Sequence, residues 1–149
     1  MGQDRLWYSF GITHPGALTL NNYPDFLRNL SMPLIGDIDM AAIDVLRDRE
    51  RGVPRYNEFR RQIGLKPLTS FEQLSSDPQL VADLKSLYNN DIEMIDTLVG
   101  QLAEETRPEG FGFGETSFQI FILNASRRLM TDRFFTTDYT DEVYTAEGL

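Results

Sequence analysis

One stretch of the sequence, residues 115–130, constrains the fold of this 149-residue chain more than any other. When successive residues are placed about 100° apart on a helix, most of its apolar side chains form one broad stripe. The stripe contains Phe118, Phe121, Ile122, Ala125 and Leu129. Ile120 and Leu123 fall on the opposite side, and a helix that is apolar on both sides is typical of a buried position. The sequence therefore predicts a buried helix from about Glu115 to Met130.

Two arginines lie near the end of this predicted helix. Arg128 falls beside Phe121 at the edge of the stripe, whereas Arg127 points towards the Ile120 side. An arginine inside a buried helix needs an anionic partner, because an unpaired charge there is costly. The pattern leaves open whether that partner is a carboxylate of the protein or a ligand.

The rest of the chain is also predicted to be helical, which makes the fold class all-α. Asp37 or Asp39 can cap a helix that ends near Arg51, where Gly52 stops it. Pro54 opens a second, short helix that ends near Gly64. The remaining predictions are a helix that starts at Asp77–Pro78 and is broken by Asn89–Asn90, one or two short helices over residues 91–104, a loop over residues 107–114 and a possible helix over residues 17–30. The first ten residues give no prediction.

Composition excludes several classes of function. The chain has 23 acidic and 14 basic residues, a net charge of -9, and would repel nucleic acid. The absence of Cys excludes disulfides, thiol catalysis and Cys-type zinc sites. The one histidine, His14, lies in a predicted turn, where an exposed loop histidine is favoured over a functional one. We find no signal peptide and no transmembrane segment, so the cytoplasm is the default localisation.

Arginine makes up twelve of the fourteen basic residues, and six of these fall within residues 47–61. Arginine is favoured over lysine where a planar, bidentate donor is needed. We therefore expect a structural network of arginine–carboxylate pairs that includes Arg47, Arg49 and Arg51. Asp44 and Asp48 lie three residues before Arg47 and Arg51, a spacing at which side chains meet on a helix.

Residues 44–60 resemble a signature of the animal-type haem peroxidase superfamily. The matching positions are Arg47, Arg49, Glu50, Gly52, Pro54, Tyr56, Asn57 and Arg60. Glu50–Arg51 stands where most peroxidases have Asp-His, and in this respect the segment resembles the fatty-acid α-dioxygenase branch. Residues 125–129 and 132–135 also resemble that branch.

The resemblance implies a mostly α-helical haem enzyme that inserts O2 at the α-carbon of fatty acids. In the family, the proximal and distal histidines and a radical-forming tyrosine lie upstream of the region that this chain matches. We therefore expect residues 1–149 to be a partial, C-terminal portion of the catalytic domain, with no catalytic residue or metal ligand of its own. Haem, O2 and a fatty acid would belong to the intact enzyme, together with the missing upstream segment. The isolated chain should be inactive.

Two residues take roles from the resemblance. Arg128 matches the arginine that binds the fatty-acid carboxylate, and its alternative is a pair with a protein carboxylate. Asp44 matches an asparagine that is bonded to the proximal histidine, and its alternative is a pair with Arg47. For the whole chain, the alternatives are part of a haem peroxidase that uses H2O2, or a non-catalytic acidic helical interaction module.

Overall fold

The computed structural model describes residues 2–13 and 16–148, so His14 lies outside the described residues. The described part is mainly helical, which confirms the predicted all-α class. Its helices are α1 (Gln3–Ile12), α2 (Asp25–Arg28), α3 (Met40–Glu50), α4 (Tyr56–Gln62), α5 (Pro78–Leu87), α6 (Thr97–Ala103) and α7 (Glu115–Thr131). Short 3-10 turns cover Phe71–Gln73, Ile92–Met94 and Arg133–Phe135.

One small sheet interrupts the helical pattern. Strands β1 (Leu30–Met32) and β2 (Gly36–Ile38) form an antiparallel hairpin in which Leu30 lies opposite Ile38. Leu34 in the turn between them has a positive φ of 74°, and Gly36, the first residue of β2, has a φ of 91°. This hairpin, which leads the chain from α2 into α3, is not predicted from the sequence.

Most helix boundaries lie where local signals predict them. The Asp39 side chain caps α3 by accepting a hydrogen bond from the Ala42 backbone N–H at 3.1 Å. Asp77 caps α5 in the same way, accepting from the Gln79 N–H at 2.9 Å, and Pro78 occupies the first helical position. Gly52, with φ of 73°, ends α3 in the left-handed conformation that glycine adopts without strain.

The helix predicted over residues 17–30 is wrong, because only α2 forms there. Residues 17–24 are irregular, and the Leu20 N–H donates to the Leu102 carbonyl oxygen at 2.9 Å, which ties this segment to the end of α6. Asn21 has φ of 64°, outside the right-handed helical region. Pro24 disfavours helical geometry at the residue before it, so a helix that starts at residue 17 is not expected to continue through Tyr23 into this proline.

The core lies between α4, α5 and α6. Its buried apolar side chains are Tyr56, Phe71, Leu74, Val81, Leu84, Ile95 and Ala103. Helix α6 approaches the Tyr56 ring so closely that a Cβ added at Gly100 would lie 2.9 Å from the Tyr56 Cβ and nearer still to the ring. The absence of a side chain at Gly100 therefore sets the distance between α4 and α6.

Helix α7 extends away from this core. Thr116 in its first turn is fully buried, but Phe121 is 49 % and Leu129 is 56 % exposed. The sequence predicts burial along the whole helix. Within the described part of the chain, only the first turn of α7 contains a fully buried side chain. Among the described residues, no helix is long and apolar enough to cross a membrane.

Candidate functional site

Arg128, the predicted carboxylate-binding residue, lies in the last turn of α7. Its side chain is exposed, and it forms no ion pair or hydrogen bond with another described residue. The alternative pairing with a protein carboxylate is therefore not formed within residues 16–148. A guanidinium in this state keeps all its N–H donors available for an anion.

The other arginines near the end of α7 differ from Arg128 in position or in pairing. Arg133 follows the helix and pairs with Asp138, with 3.0 Å between Nη2 and Oδ2. Arg127 is also unpaired among the described side chains, but it points to another side of the helix. Arg128 therefore combines a free guanidinium with a place beside the apolar stripe.

Aromatic rings continue this stripe towards the start of α7. The ring of Phe118 contacts that of Phe111 edge-on, with centroids 4.5 Å apart, and Phe121 lies 6.3 Å from Phe113. Arg128 lies seven residues after Phe121, about 10 Å along the axis and nearly on the same side of the helix. A cation at one end of an apolar surface matches an anionic amphiphile such as a fatty acid.

The first turn of α7 is fixed by a buried carboxylate, Glu104, that the sequence analysis did not single out. Its Oε2 accepts the backbone N–H of Thr116 at 2.8 Å. Its Oε1 accepts Arg60 Nη1 at 2.9 Å and also the hydroxyl groups of Tyr56 and Thr116. Glu104 is 6 % exposed and Arg60 is 4 % exposed, so this is a buried ion pair with its hydrogen bonds satisfied.

Arg60 connects this carboxylate to two further parts of the chain. Its Nη2 donates to Glu115 Oε2 at 2.7 Å, and its Nε donates to the Lys66 carbonyl oxygen at 2.8 Å. Burial and the nearby Glu104 charge raise the pKa of Tyr56, so the phenol stays protonated and donates to Glu104. The network joins α4, α6 and the start of α7.

A second buried carboxylate, Asp96, takes part in the predicted arginine network. Arg49 donates to it twice, from Nε at 2.9 Å and from Nη2 at 2.6 Å, and Arg55 and Tyr88 donate as well. Burial alone would raise the pKa of Asp96, but the hydrogen bonds and positive charges of these donors outweigh burial and lower it. Asp96 therefore stays ionised between α3 and α6.

The carboxylates interleaved with the arginines are not the partners. Arg47 and Arg51 are exposed and have no ion pair with any described residue. Asp44 is half-buried and accepts a hydrogen bond from the Tyr23 hydroxyl at 3.2 Å, instead of pairing with Arg47. The actual partners, Asp96 and Glu104, lie more than 40 residues further along the chain, and no local pattern marks them.

An apolar cleft of about 630 Å³ opens beside the irregular segment 17–24. Leu18, Leu20, Val45, Val99 and Leu102 are among its lining residues, which come from this segment, α2, α3 and α6. Its lining residues do not include Arg128, so the free guanidinium and this cleft are separate features.

The described residues cannot supply an imidazole or a thiolate ligand to haem iron. They contain no His and no Cys, since the one histidine is His14. They also contain no group of three or more His, Cys, Asp or Glu side chains that could hold a metal ion. The axial imidazole that the resemblance implies is therefore not supplied by residues 2–13 or 16–148.

The helical fold and its buried arginine network define a known class of protein. Residues 1–149 match the animal haem peroxidase family, and the chain belongs to that family. Within the family, the chain is 47 % identical over 155 residues to alpha-dioxygenase 2 of Arabidopsis thaliana, covering 100 % of this chain and 24 % of that protein.

Solved structures give the same result. The crystal structure of a variant of Oryza sativa fatty acid alpha-dioxygenase with palmitic acid matches with a TM-score of 0.90 and 46 % identity, over 99 % of this chain and 25 % of that one. Peroxidase A from Dictyostelium discoideum matches less well, with a TM-score of 0.67 and 36 % identity over 78 % of this chain and 22 % of that one. The chain thus spans about a quarter of the length of the relatives that it matches.

Proposed function

We propose that this chain is part of a haem-dependent fatty-acid α-dioxygenase, an oxidoreductase that adds O2 at the α-carbon of fatty acids in oxylipin formation. The observation that carries the proposal is the 47 % identity to a plant alpha-dioxygenase along the entire chain. The match to the solved alpha-dioxygenase with palmitic acid has the same extent. Identity and coverage are both lower for the peroxidase structure.

The role that we propose for residues 16–148 is scaffold and substrate binding. Arg128 would bind the fatty-acid carboxylate through two parallel hydrogen bonds, the geometry that a guanidinium favours. Its free donors and the exposed apolar side chains of Phe121 and Leu129 on the same helix support this role. The alkyl tail would lie along that stripe and exclude water from it.

Haem, when bound in the whole protein, would supply the oxidising chemistry, with its iron held by residues other than those described here. Asp44 is the residue that we propose to orient the iron-ligating imidazole, because its half-buried carboxylate keeps one oxygen free beyond its bond with Tyr23. Arg47 and Arg51 would join the structural network through partners elsewhere in the whole protein, since both are unpaired among the described residues.

Part of a haem peroxidase is the second candidate, and the match to the Dictyostelium peroxidase favours it. Product analysis distinguishes the two. The full-length protein is incubated with palmitate and O2, without H2O2. A 2-hydroperoxy acid, or the aldehyde one carbon shorter, supports α-dioxygenation. Oxidation of a small reductant only when H2O2 is added supports the peroxidase.

The role of Arg128 is tested by Arg128→Ala in the full-length protein. The KM for palmitate should rise about tenfold or more, since one charged binding contact is lost, while haem content stays unchanged. Arg127→Ala is the matched control, because this neighbouring arginine is equally unpaired but points elsewhere. Unchanged kinetics in Arg128→Ala, or a larger effect in Arg133→Ala, would contradict the assignment.

A further inference from the structure

The start of α7 lacks the capping side chain that a helix usually has. Its N-cap residue is Gly114, which has no side chain to accept a backbone N–H. The Glu104 carboxylate, ten residues earlier in the sequence, accepts the Thr116 N–H at 2.8 Å instead. A carboxylate at this end of a helix also interacts favourably with the helix dipole.

Gly114 and Glu104 fit each other closely. Gly114 is buried, and a Cβ added there would lie 2.7 Å from the Glu104 Cβ and would overlap its Oε2. Any side chain at position 114 must therefore displace the carboxylate that caps the helix. The glycine makes room for a cap that comes from α6.

The rest of α7 has few constraints on its direction. Besides the Thr116 contacts, the Ser117 hydroxyl donates to Gln101 Oε1 at 3.1 Å, and the ring of Phe118 packs against that of Phe111. From Phe121 onwards, most of the helix is exposed among the described residues. Arg128 lies about 18 Å along the axis from Thr116, so a tilt of about 10° at the first turn would move its backbone by about 3 Å.

We propose that Glu104, held by Arg60 and accommodated by Gly114, is a positioning residue that sets the direction of α7 and so places the Arg128 guanidinium at the substrate carboxylate. This inference rests on the proposed function of Arg128. Glu104 itself touches no substrate. A displacement of about 3 Å would take the guanidinium out of hydrogen-bonding reach of a carboxylate in its original place, so it should weaken substrate binding.

Glu104→Gln in the full-length enzyme tests this role. The amide side chain keeps the shape but loses the charge that Arg60 and the helix N-terminus stabilise. We expect the KM for palmitate to rise about tenfold with kcat within about twofold, and amide hydrogen exchange to accelerate in residues 115–120. Glu105→Gln is the matched control, because this adjacent, exposed carboxylate bonds to Ser76 and should change neither quantity.

The coupling to Arg128 is measured by combining the variants. In an Arg128→Ala background, Glu104→Gln should raise KM by less than about twofold, because both changes remove the same contact. An equal effect of Glu104→Gln in both backgrounds would overturn the positioning role, and so would unchanged hydrogen exchange in residues 115–120. If Arg128→Ala alone leaves KM unchanged, the proposed function of Arg128 fails, while the exchange result still decides whether Glu104 holds the helix.

Gly114→Ala provides a second variant for the case in which Glu104→Gln does not fold. It keeps both charges and acts mainly by displacing the carboxylate, since the added Cβ would overlap Glu104 Oε2. The same rise in KM and the same faster exchange at the start of α7 are expected. Normal KM in a folded Gly114→Ala variant would overturn the proposal.

Discussion

Arg49 and Asp96, which are 47 residues apart in the sequence, form an ion pair with two hydrogen bonds. Arg49 Nε lies 2.9 Å from Asp96 Oδ1, and Nη2 lies 2.6 Å from Oδ2. This pair joins the last turn of α3 to the start of α6. The Asp96 side chain is almost fully buried, whereas that of Arg49 is half-exposed. Loss of the pair would therefore cost more at Asp96, which cannot reach water, than at Arg49, which can.

The first prediction concerns acid stability. The pKa of Asp96 is lower in the folded protein than its ordinary value near 3.8, so the native state binds fewer protons than the unfolded state. The stability that Asp96 contributes is complete above about pH 5 and is lost as the pH falls through the folded pKa. Asp96→Asn should be less stable by about 1–3 kcal/mol at neutral pH and should show a flatter decline below pH 4.

Thermal melts of the intact protein between pH 3 and pH 7 provide the measurement. Asp91→Asn is the control, because Asp91 is an exposed carboxylate that meets no arginine among the described residues. Identical pH profiles for Asp96→Asn and the unmodified protein would disprove the prediction.

The second prediction compares two adjacent arginines. Arg60→Met removes the cation that pairs with buried Glu104, and leaving one charge unpaired costs about 3–5 kcal/mol. Arg61→Met breaks exposed pairs with Glu58 and Glu93 and should lower stability much less, because solvent screens such pairs. The melting temperature of each variant checks this, and similar losses in the two variants would be inconsistent with the different burial of the two pairs.

The third prediction concerns Gly100. Alanine is a better helix former by about 1 kcal/mol, yet Gly100→Ala places a methyl group against the buried Tyr56 ring. The net effect should be destabilising, since overpacking of this kind costs about 1–3 kcal/mol or more. Gly11→Ala in α1, where nothing lies within 4 Å of the added Cβ, should be neutral or stabilising. Denaturation curves of both variants decide the sign, and a stabilised Gly100→Ala would refute the close contact.

The fourth prediction concerns Asp44 and depends on the proposed function. Replacing this carboxylate by an amide weakens its pull on the proton of an iron-ligating imidazole, so the ligand becomes less electron-donating. Asp44→Asn should therefore raise the reduction potential of the haem in the intact protein. Spectroelectrochemical titration measures this, with Glu50→Gln on another side of α3 as the control. An unchanged potential in Asp44→Asn would exclude the orienting role.

The sequence predicts those parts of the fold whose causes are local. Asp39 and Asp77 cap their own helices within three residues, so both starting points could be predicted from neighbouring positions. Helix α1 was not predicted, since its N-cap residue, Gly2, has no side chain that could signal the start. The β1–β2 hairpin was missed because strands of three residues carry too little alternation to detect.

The candidate site was predictable in part for the same reason. The stripe beside Arg128 is a periodic feature of one helix, and arginine-rich composition pointed to buried ion pairs. The partners of those arginines were not predictable, because helix spacing reports only neighbours within a turn or two. Asp96 and Glu104 reach Arg49 and Arg60 only after the helices between them in the sequence have packed.

The fit between Gly114 and Glu104 has a consequence for how this region can change through mutation. A longer side chain at position 114 and a carboxylate at position 104 exclude each other, so neither position can be altered freely while the other is retained. A capping Ser or Asp at position 114 would become acceptable only after Glu104 had been shortened, and shortening Glu104 first would remove the carboxylate that accepts from the Thr116 N–H and from Arg60 Nη1. Each order of substitution passes through a defective intermediate, so this helix start is expected to resist gradual redesign and to change only by simultaneous replacement.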